Sequence, residues 1–442
     1  MSHQELLLGD DAVGLGALHA GLSGVYGYPG TPSTEIFEYV EGRAAEFGVH
    51  ARWSANEKVG YEEALGMSFA GRRALVTMKH VGLNVAADPF MNSALTGVGG
   101  GLVLAVADDP GMHSSQNEQD SRVLAAFAQI PVLEPRDQQE AYDMTREAFE
   151  VSERFGVPVM VRLVTRLSHS RAAVRTRPAL PQRPLALVAR PDAWTLLPAN
   201  ARVRYAGLVA RQPAMRQWAE GSPFQLLDLD RPDPSLGVIA TGIGFNYFLE
   251  AVGGESPYPF LKIGAYPTPA GLVRRLVDRC EQILVVEDGY PFVEQALRGL
   301  LDEHGDRIHG RLDGRLNRTG ELNPDLVASA LGRPVPAGTP APLDPLPGRP
   351  PQLCPGCPHA DAFRAINEAL AGFRDSIVTS DIGCYTLGFY QPYSTIQTCV
   401  DMGASISMAS GAAHAGAFPV LCVIGDSTFA HSGMGPLLGA AR

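Results

Sequence analysis

The sequence predicts an α/β protein made of three doubly wound, parallel-sheet units, and three observations carry that expectation. Short β-rich runs alternate with segments of helical length through most of the 442 residues. The runs are apolar on both faces, as strands sandwiched between two helical layers must be. A proline-dense stretch then sets the last unit apart, and a chain this long exceeds what one ordinary core organises.

The first unit is expected over residues 1–170. Residues 25–29 read as a strand and 34–40 as a helix; 51–53, 74–78, 101–107, 131–133 and 157–161 follow as strands, with 137–155 as a long helix between the last two. Residues 169 to about 200 carry Arg171, Arg175, Arg177, Pro178, Pro181 and Pro184 and read as an irregular crossing. A second α/β unit is expected over 195–332, with strands at 237–241 and 282–286. Its Thr241-Gly242-Ile243-Gly244 turn lacks the third glycine and the acidic partner of a dinucleotide fingerprint, so it reads as a packing turn.

Residues 333–352 hold Pro334, Pro336, Pro340, Pro342, Pro345, Pro347, Pro350 and Pro351, which resist helix and sheet alike and mark a linker. The third unit, over 353–442, offers a helix at 361–371 and strands at 377–379 and 420–424. A doubly wound sheet needs more strands than these, so this domain is expected to be incomplete and the chain to be a fragment or a truncated product.

Charge and composition narrow the function. The 36 basic against 47 acidic side chains give −11, a field that repels a phosphate backbone, so nucleic acid is not an expected partner. No basic and apolar leader opens the sequence, and no uninterrupted apolar run is long enough to span a bilayer. A cytoplasmic, reducing setting is expected, which makes the six cysteines thiols or metal ligands. Five of them, Cys354, Cys357, Cys384, Cys399 and Cys422, follow residue 350, so metal or redox chemistry belongs to the last quarter.

Four segments could carry chemistry. Residues 420–424 run into Gly425-Asp426-Ser427-Thr428 ahead of a helix, where glycine lets backbone approach phosphate and Asp426 can hold a divalent ion; a plain strand-terminal turn is the alternative. Cys354-Pro355-Gly356-Cys357 presents two thiolates, and Cys384 follows in Ser380-Asp381-Ile382-Gly383-Cys384-Tyr385. A fourth ligand is left among His359, Cys399, Cys422 or a residue beyond Arg442, and buried free thiols are the alternative. In Gly27-Tyr28-Pro29-Gly30-Thr31-Pro32-Ser33-Thr34-Glu35, Thr31 is expected to cap a helix whose first residue is Pro32, with amides suited to a carboxylate; a well-capped helix with no ligand is the alternative. Finally Asn56-Glu57-Lys58 opens a helix after a strand and puts Glu57 in the first turn, whereas Glu62 reads as surface.

Together these segments resemble the alpha subunit of indolepyruvate:ferredoxin oxidoreductases. The resemblance extends through Thr-Met-Lys-His-Val-Gly-Leu-Asn-Val-Ala-Ala-Asp-Pro at 77–89, Tyr266-Pro267, Val285-Val286-Glu287-Asp288-Gly289, Cys-Pro-Gly-Cys-Pro-His at 354–359, Asp-Ile-Gly-Cys-Tyr-Thr-Leu-Gly at 381–388 and Gly-Asp-Ser-Thr-Phe at 425–429. It implies a pyrimidine-binding domain first, a transketolase-C-terminal-like domain second and a diphosphate-binding domain third. It implies thiamine diphosphate, Mg2+ and a [4Fe-4S] cluster as cofactors, and oxidation of an aryl 2-oxoacid with coenzyme A and ferredoxin to aryl-acetyl-coenzyme A and carbon dioxide. A beta subunit, or a fused beta-like domain, and a dimer of heterodimers follow from it as well.

On this resemblance Glu57 bonds the pyrimidine ring, Thr31 holds the substrate carboxylate or carbonyl, and Lys79 and His80 line the pocket. Gly425, Asp426, Ser427 and Thr428 take the diphosphate and Asp426 the magnesium; Cys354, Cys357 and Cys384 ligate the cluster. The family's second half of the thiamine motif and its ferredoxin-like tail would lie beyond Arg442. Two other functions stand beside this one: a non-oxidative thiamine-dependent decarboxylase or carboligase, which needs no cysteine cluster, and a truncated, non-catalytic subunit.

Overall fold

A computed structural model describes residues 4–186, 194–300, 302, 305–335, 351–374, 376–414 and 416–441. The chain divides into two compact units, residues 1–337 and 338–442. Most of the proline-dense stretch, residues 336–350, lies outside the described residues.

The first unit holds a seven-stranded sheet in the order Ala265–Tyr266, Val132–Leu133, Val159–Val164, Leu102–Asp108, Ala74–Lys79, Gly24–Gly27, His50–Trp53. All neighbours are parallel except Ala265–Tyr266, a strand from within the expected second unit, 195–332, that joins this sheet. Register explains the two-sided apolar pattern. Val25 lies beside Leu75, Leu75 beside Val103 and Val103 beside Val159, while Val76, Leu104 and Met160 form the next row, on the opposite face. All seven are buried, each side chain contributing roughly 1.5–3 kcal/mol.

Helices cover both faces. Gln138–Phe155 starts where the Asp137 carboxylate accepts the Glu140 amide at 2.8 Å, and it buries Ala141, Thr145, Ala148, Ser152 and Phe155 along one stripe. Glu57–Phe69 starts likewise, with Asn56 Oδ1 accepting the Val59 amide at 2.9 Å. A second sheet, in the order Ile308–His309, Gln282–Val286, Leu236–Thr241, Phe260–Ile263, Leu226–Asp228, is parallel except at its last strand.

Two sequence expectations change here. Residues 171–175 are not an irregular crossing: Arg171–Arg175 is a strand, antiparallel to Gln4–Leu8. Its alternation buries Val174 and leaves Arg171 and Arg175 in solvent, a pattern that arginine content obscured. The helix after the first strand begins at Thr34 with Ser33 in the capping position, so Thr31 is no cap and Pro32 no first helical residue. Thr31 and Pro32 sit in a turn instead. The Ser33 amide and hydroxyl donate to Gly30 O at 2.8 and 2.7 Å, and Thr34 Oγ1 accepts the Gly30 amide at 2.9 Å.

A buried ion network ties the two sheets of the first unit. Arg162 Nε meets Asp108 at 2.7 Å and its Nη1 meets Glu134 at 2.6 Å; Arg122 meets Asp120 at 2.5 Å and Glu287 at 3.2 Å. Tyr266 donates to Glu134 at 2.6 Å. Burial opposes ionisation of Asp120, but Arg122 and Arg162 outweigh it and hold the carboxyl down at about 2. Burial wins at Glu287 and pushes it up to about 7 despite Arg122 and the Val293 and Glu294 amides.

The second unit carries three parallel strands in the order Thr398–Cys399, Ile377–Ser380, Val420–Val423. Its helix Pro358–Leu370 starts three residues before the expected point, because Pro358 suits the first helical turn directly after Cys357. A small core of Phe363, Val378, Tyr385 and Ile396 holds the unit together.

Candidate active site

In the first unit, the strands Gly24–Gly27, His50–Trp53 and Ala74–Lys79 all end on one edge of the sheet. The chain moves from Gly24–Gly27 to His50–Trp53 on one side and later returns to Ala74–Lys79 on the other, so the edge here is a topological switch point, where open α/β sheets bind ligands. Four of the predicted residues belong to this edge. Thr31 lies in the exposed turn after the first strand, Glu57 begins the helix after the second, and Lys79 and His80 end the third strand and begin the next helix.

Glu57 is buried at 6 % exposure, and the space that admits its carboxylate belongs to Gly82. A Cβ on Gly82 would stand 2.6 Å from Glu57 Oε1 and 2.7 Å from Cγ, so any side chain there would displace the Glu57 carboxylate. Lys79, also buried, donates to Ser114 O at 3.3 Å. Burial lowers its affinity for the proton from the usual lysine range, with Asp109 acting the other way. His80 Nε2 lies 3.1 Å from Asn117 O, while Nδ1 has no hydrogen-bond partner among the described residues.

Sequence reasoning missed the loop that roofs this edge. Asp109 accepts hydrogen bonds from the Ser114 amide (2.9 Å), Ser115 Oγ (2.6 Å) and Thr165 Oγ1 (2.7 Å). Burial opposes its charge, yet these donors and Lys79 hold the carboxyl below its ordinary range. Ser114 Oγ in turn donates to Thr31 O at 3.2 Å, which joins the loop to the Thr31 turn. The Asp108-Asp109 pair at a strand's carboxyl end was the available signal.

In the second unit the predicted residues again gather at strand ends. Cys354 and Cys357 close a turn through the Cys357 amide and Cys354 O at 3.0 Å. Cys357 Sγ and Cys384 Sγ lie 3.3 and 3.5 Å from His359 Nδ1. Among the described residues, the thiols of Cys354, Cys357 and Cys384 do not form a group within 4.8 Å of one another, the spacing of a single-ion site. A cluster of several irons, one per thiolate, spaces its ligands more widely. Cys399 faces Thr386 Oγ1 at 3.5 Å, and Cys422 is exposed.

The Gly425–Thr428 turn and the Cys384 loop are bound together by Tyr385. Its hydroxyl donates to Ile382 O and accepts from Thr428 Oγ1, each at 3.0 Å, and its ring lies where a Cβ on Gly425 would fall, 2.6 Å from Cε1. Asp426 and Ser427 are exposed; Asp426 Oδ1 accepts the Ser427 amide at 2.9 Å. Asp381, missed as a functional group, is buried and accepts the Gly403 and Ser405 amides at 2.7 and 3.2 Å, so it caps the helix Ala404–His414.

These two edges define a class. Residues 15–215 match the family described as "Pyruvate flavodoxin/ferredoxin oxidoreductase, thiamine diP-bdg", and residues 381–442 match "Thiamine pyrophosphate enzyme, C-terminal TPP binding domain", so the chain carries thiamine-diphosphate-binding domains in both units. The fold is shared with a 2-oxoglutarate:ferredoxin oxidoreductase from Magnetococcus marinus (TM-score 0.61, 16 % identity, 74 % of this chain and 65 % of that one). The chain is 40 % identical over 99 % of its length to indolepyruvate oxidoreductase subunit IorA of Methanothermobacter thermautotrophicus, and 38 % identical over 98 % to that of Archaeoglobus fulgidus, spanning 72 % of each. It belongs to the indolepyruvate oxidoreductase IorA family. No helix among the described residues is long and apolar enough to cross a membrane.

Proposed function

We propose that this chain is the thiamine-bearing subunit of a 2-oxoacid:ferredoxin oxidoreductase that converts an aryl 2-oxoacid, indolepyruvate or a close analogue, and coenzyme A into the aryl-acetyl thioester and carbon dioxide. Electrons pass to ferredoxin, and a beta subunit completes the enzyme. The observation that carries this reading is the Glu57 carboxylate in its niche against Gly82, at the switch point of the first sheet. Thiamine diphosphate, when bound, supplies the carbanion chemistry that decarboxylation of a 2-oxoacid needs.

The chain's own residues orient and charge-balance the reactants. Glu57 holds or releases a proton at its Oε atoms toward the pyrimidine end of the coenzyme. Lys79, with its ammonium partly desolvated, would face anionic and carbonyl groups of the substrate with His80 behind it, and the Thr31 hydroxyl would donate to the substrate carboxylate. In the second unit, Asp426 would hold Mg2+, and the Gly425–Thr428 backbone the diphosphate it neutralises. Cys354, Cys357 and Cys384 would hold an iron–sulfur cluster, with His359 beside two of the thiols. Those thiols favour an oxidative reaction over a non-oxidative decarboxylase or carboligase.

The test is anaerobic co-expression with the partner subunit and assay with indolepyruvate, coenzyme A and oxidised ferredoxin. Thioester formation coupled to ferredoxin reduction is expected. Carbon dioxide release with neither thioester nor reduced ferredoxin would replace this reading with the non-oxidative one.

A further inference from the structure

Outside the site just described, a second set of ligand-type side chains converges in the first unit. Asp10 opens the helix Gly9–His19, Glu35 the helix Thr34–Glu41, and His169 ends the short helix Thr165–His169. One ligand atom of each lies within 4.8 Å of the other two, and His169 Nε2 is 3.8 Å from Glu35 Oε1. Asp10 is fully buried beside Ser168, yet neither of its oxygens nor the Ser168 hydroxyl reaches hydrogen-bond geometry among the described residues, and Glu35 Oε2 is likewise buried without a partner. A carboxylate left this way is expensive unless it is paired or coordinated.

From this geometry we infer a divalent-metal site, of the Zn2+ class, formed by Asp10, Glu35 and His169. Two carboxylates and a neutral imidazole bring −2, which one divalent ion cancels. Mixed oxygen and nitrogen donors suit Zn2+ better than an all-oxygen ion such as Mg2+ or Ca2+. Ligands of a tetrahedral Zn2+ stand roughly 3.3 Å apart for bonds of about 2.0–2.2 Å, so the observed spacing closes on an ion by small side-chain rotations. Glu35 is partly buried and His169 is exposed, which leaves a coordination position open to solvent or a small anion. The ion would fasten three helix ends, one of them directly following the Thr31 turn.

The test uses the full chain carrying Cys354→Ser, Cys357→Ser and Cys384→Ser, so that those thiols do not compete, with Zn2+ alone as probe against a chromogenic chelator. One Zn2+ per chain is expected, bound at least tenfold more weakly after Asp10→Asn or His169→Ala, and it should raise the melting temperature only where the triad is intact. Asp10→Asn keeps the side chain's size and shape, so without metal it should melt close to its parent; it reports on the ion even where His169→Ala fails to fold. Absence of Zn2+ uptake by the intact triad, or uptake and melting shift unchanged in Asp10→Asn, would overturn the assignment.

Discussion

The two units place their candidate groups at the same structural address, the carboxyl edge of a parallel sheet, but fix them by different means. In the first, Glu57, Lys79 and His80 are 6, 8 and 1 % exposed, and packing against Gly82 and the 108–120 loop sets their positions. In the second, Cys354, Cys384, Cys399 and Asp426 are exposed, and the Tyr385–Thr428 and Asp381–Ser405 hydrogen bonds fix the loops that bear them. Even the strand behind them, Val420–Val423, is only half covered, with Leu421 37 % exposed. A buried edge resists substitution by steric fit. An exposed edge depends on a few polar ties and on whatever its thiols coordinate.

That contrast can be broken or sharpened by experiment. The largest effect is expected at the exposed edge: Cys384→Ser in anaerobically prepared enzyme should lose most of its bound iron while the far-ultraviolet circular dichroism is unchanged. Iron content and visible spectrum equal to wild type would remove Cys384 from the ligand set.

Next comes the pH dependence of the buried network. Glu287 titrates at about 7 in the folded chain against an ordinary 4.5. A raised acid pKa means that the unfolded chain loses this proton first, so stability falls as pH rises from about 4.5 to about 7. The difference amounts to about 3 kcal/mol. Denaturant melts of the first unit at pH 5 and pH 8 should show the loss, and Glu287→Gln should flatten it; an unaltered slope would mean that Glu287 is not the titrating group.

A smaller effect is expected from Gly82→Ala, whose methyl would meet the Glu57 carboxylate. Overpacking should lower stability by about 1–3 kcal/mol and displace the acid, with iron content untouched. Wild-type melting and wild-type turnover together would show that the niche is not tight. The smallest is Tyr385→Phe, which removes the hydroxyl's ties to Ile382 and Thr428 and should cost about 1 kcal/mol in the second unit, measured by thermal melting.

The central strands Ala74–Lys79 and Leu102–Asp108 were legible in the sequence because each is apolar on both faces, and the Glu57 helix because Asn56 is a strong cap. Local signals failed where a distant partner decides. Arg171–Arg175 is a strand only because Gln4–Leu8 lies beside it. Gly82 looks like any helical glycine until the sheet order brings it against Glu57, and Ser33 displaced Thr31 as cap through its bonds to Gly30. His359 was one of several candidates for a place beside the thiols; only the fold of the 380–384 loop brings Cys384 to it. Asp10, Glu35 and His169 share no sequence motif at all.

The most direct measurement is decarboxylation by the Glu57→Gln variant of the complete enzyme, assayed with its partner subunit and saturating thiamine diphosphate. If the acid beside Gly82 handles the proton, carbon dioxide release should drop by roughly 10²–10⁴-fold while iron content and fold are retained. Release within a few-fold of wild type would contradict that role and take the first-unit site with it.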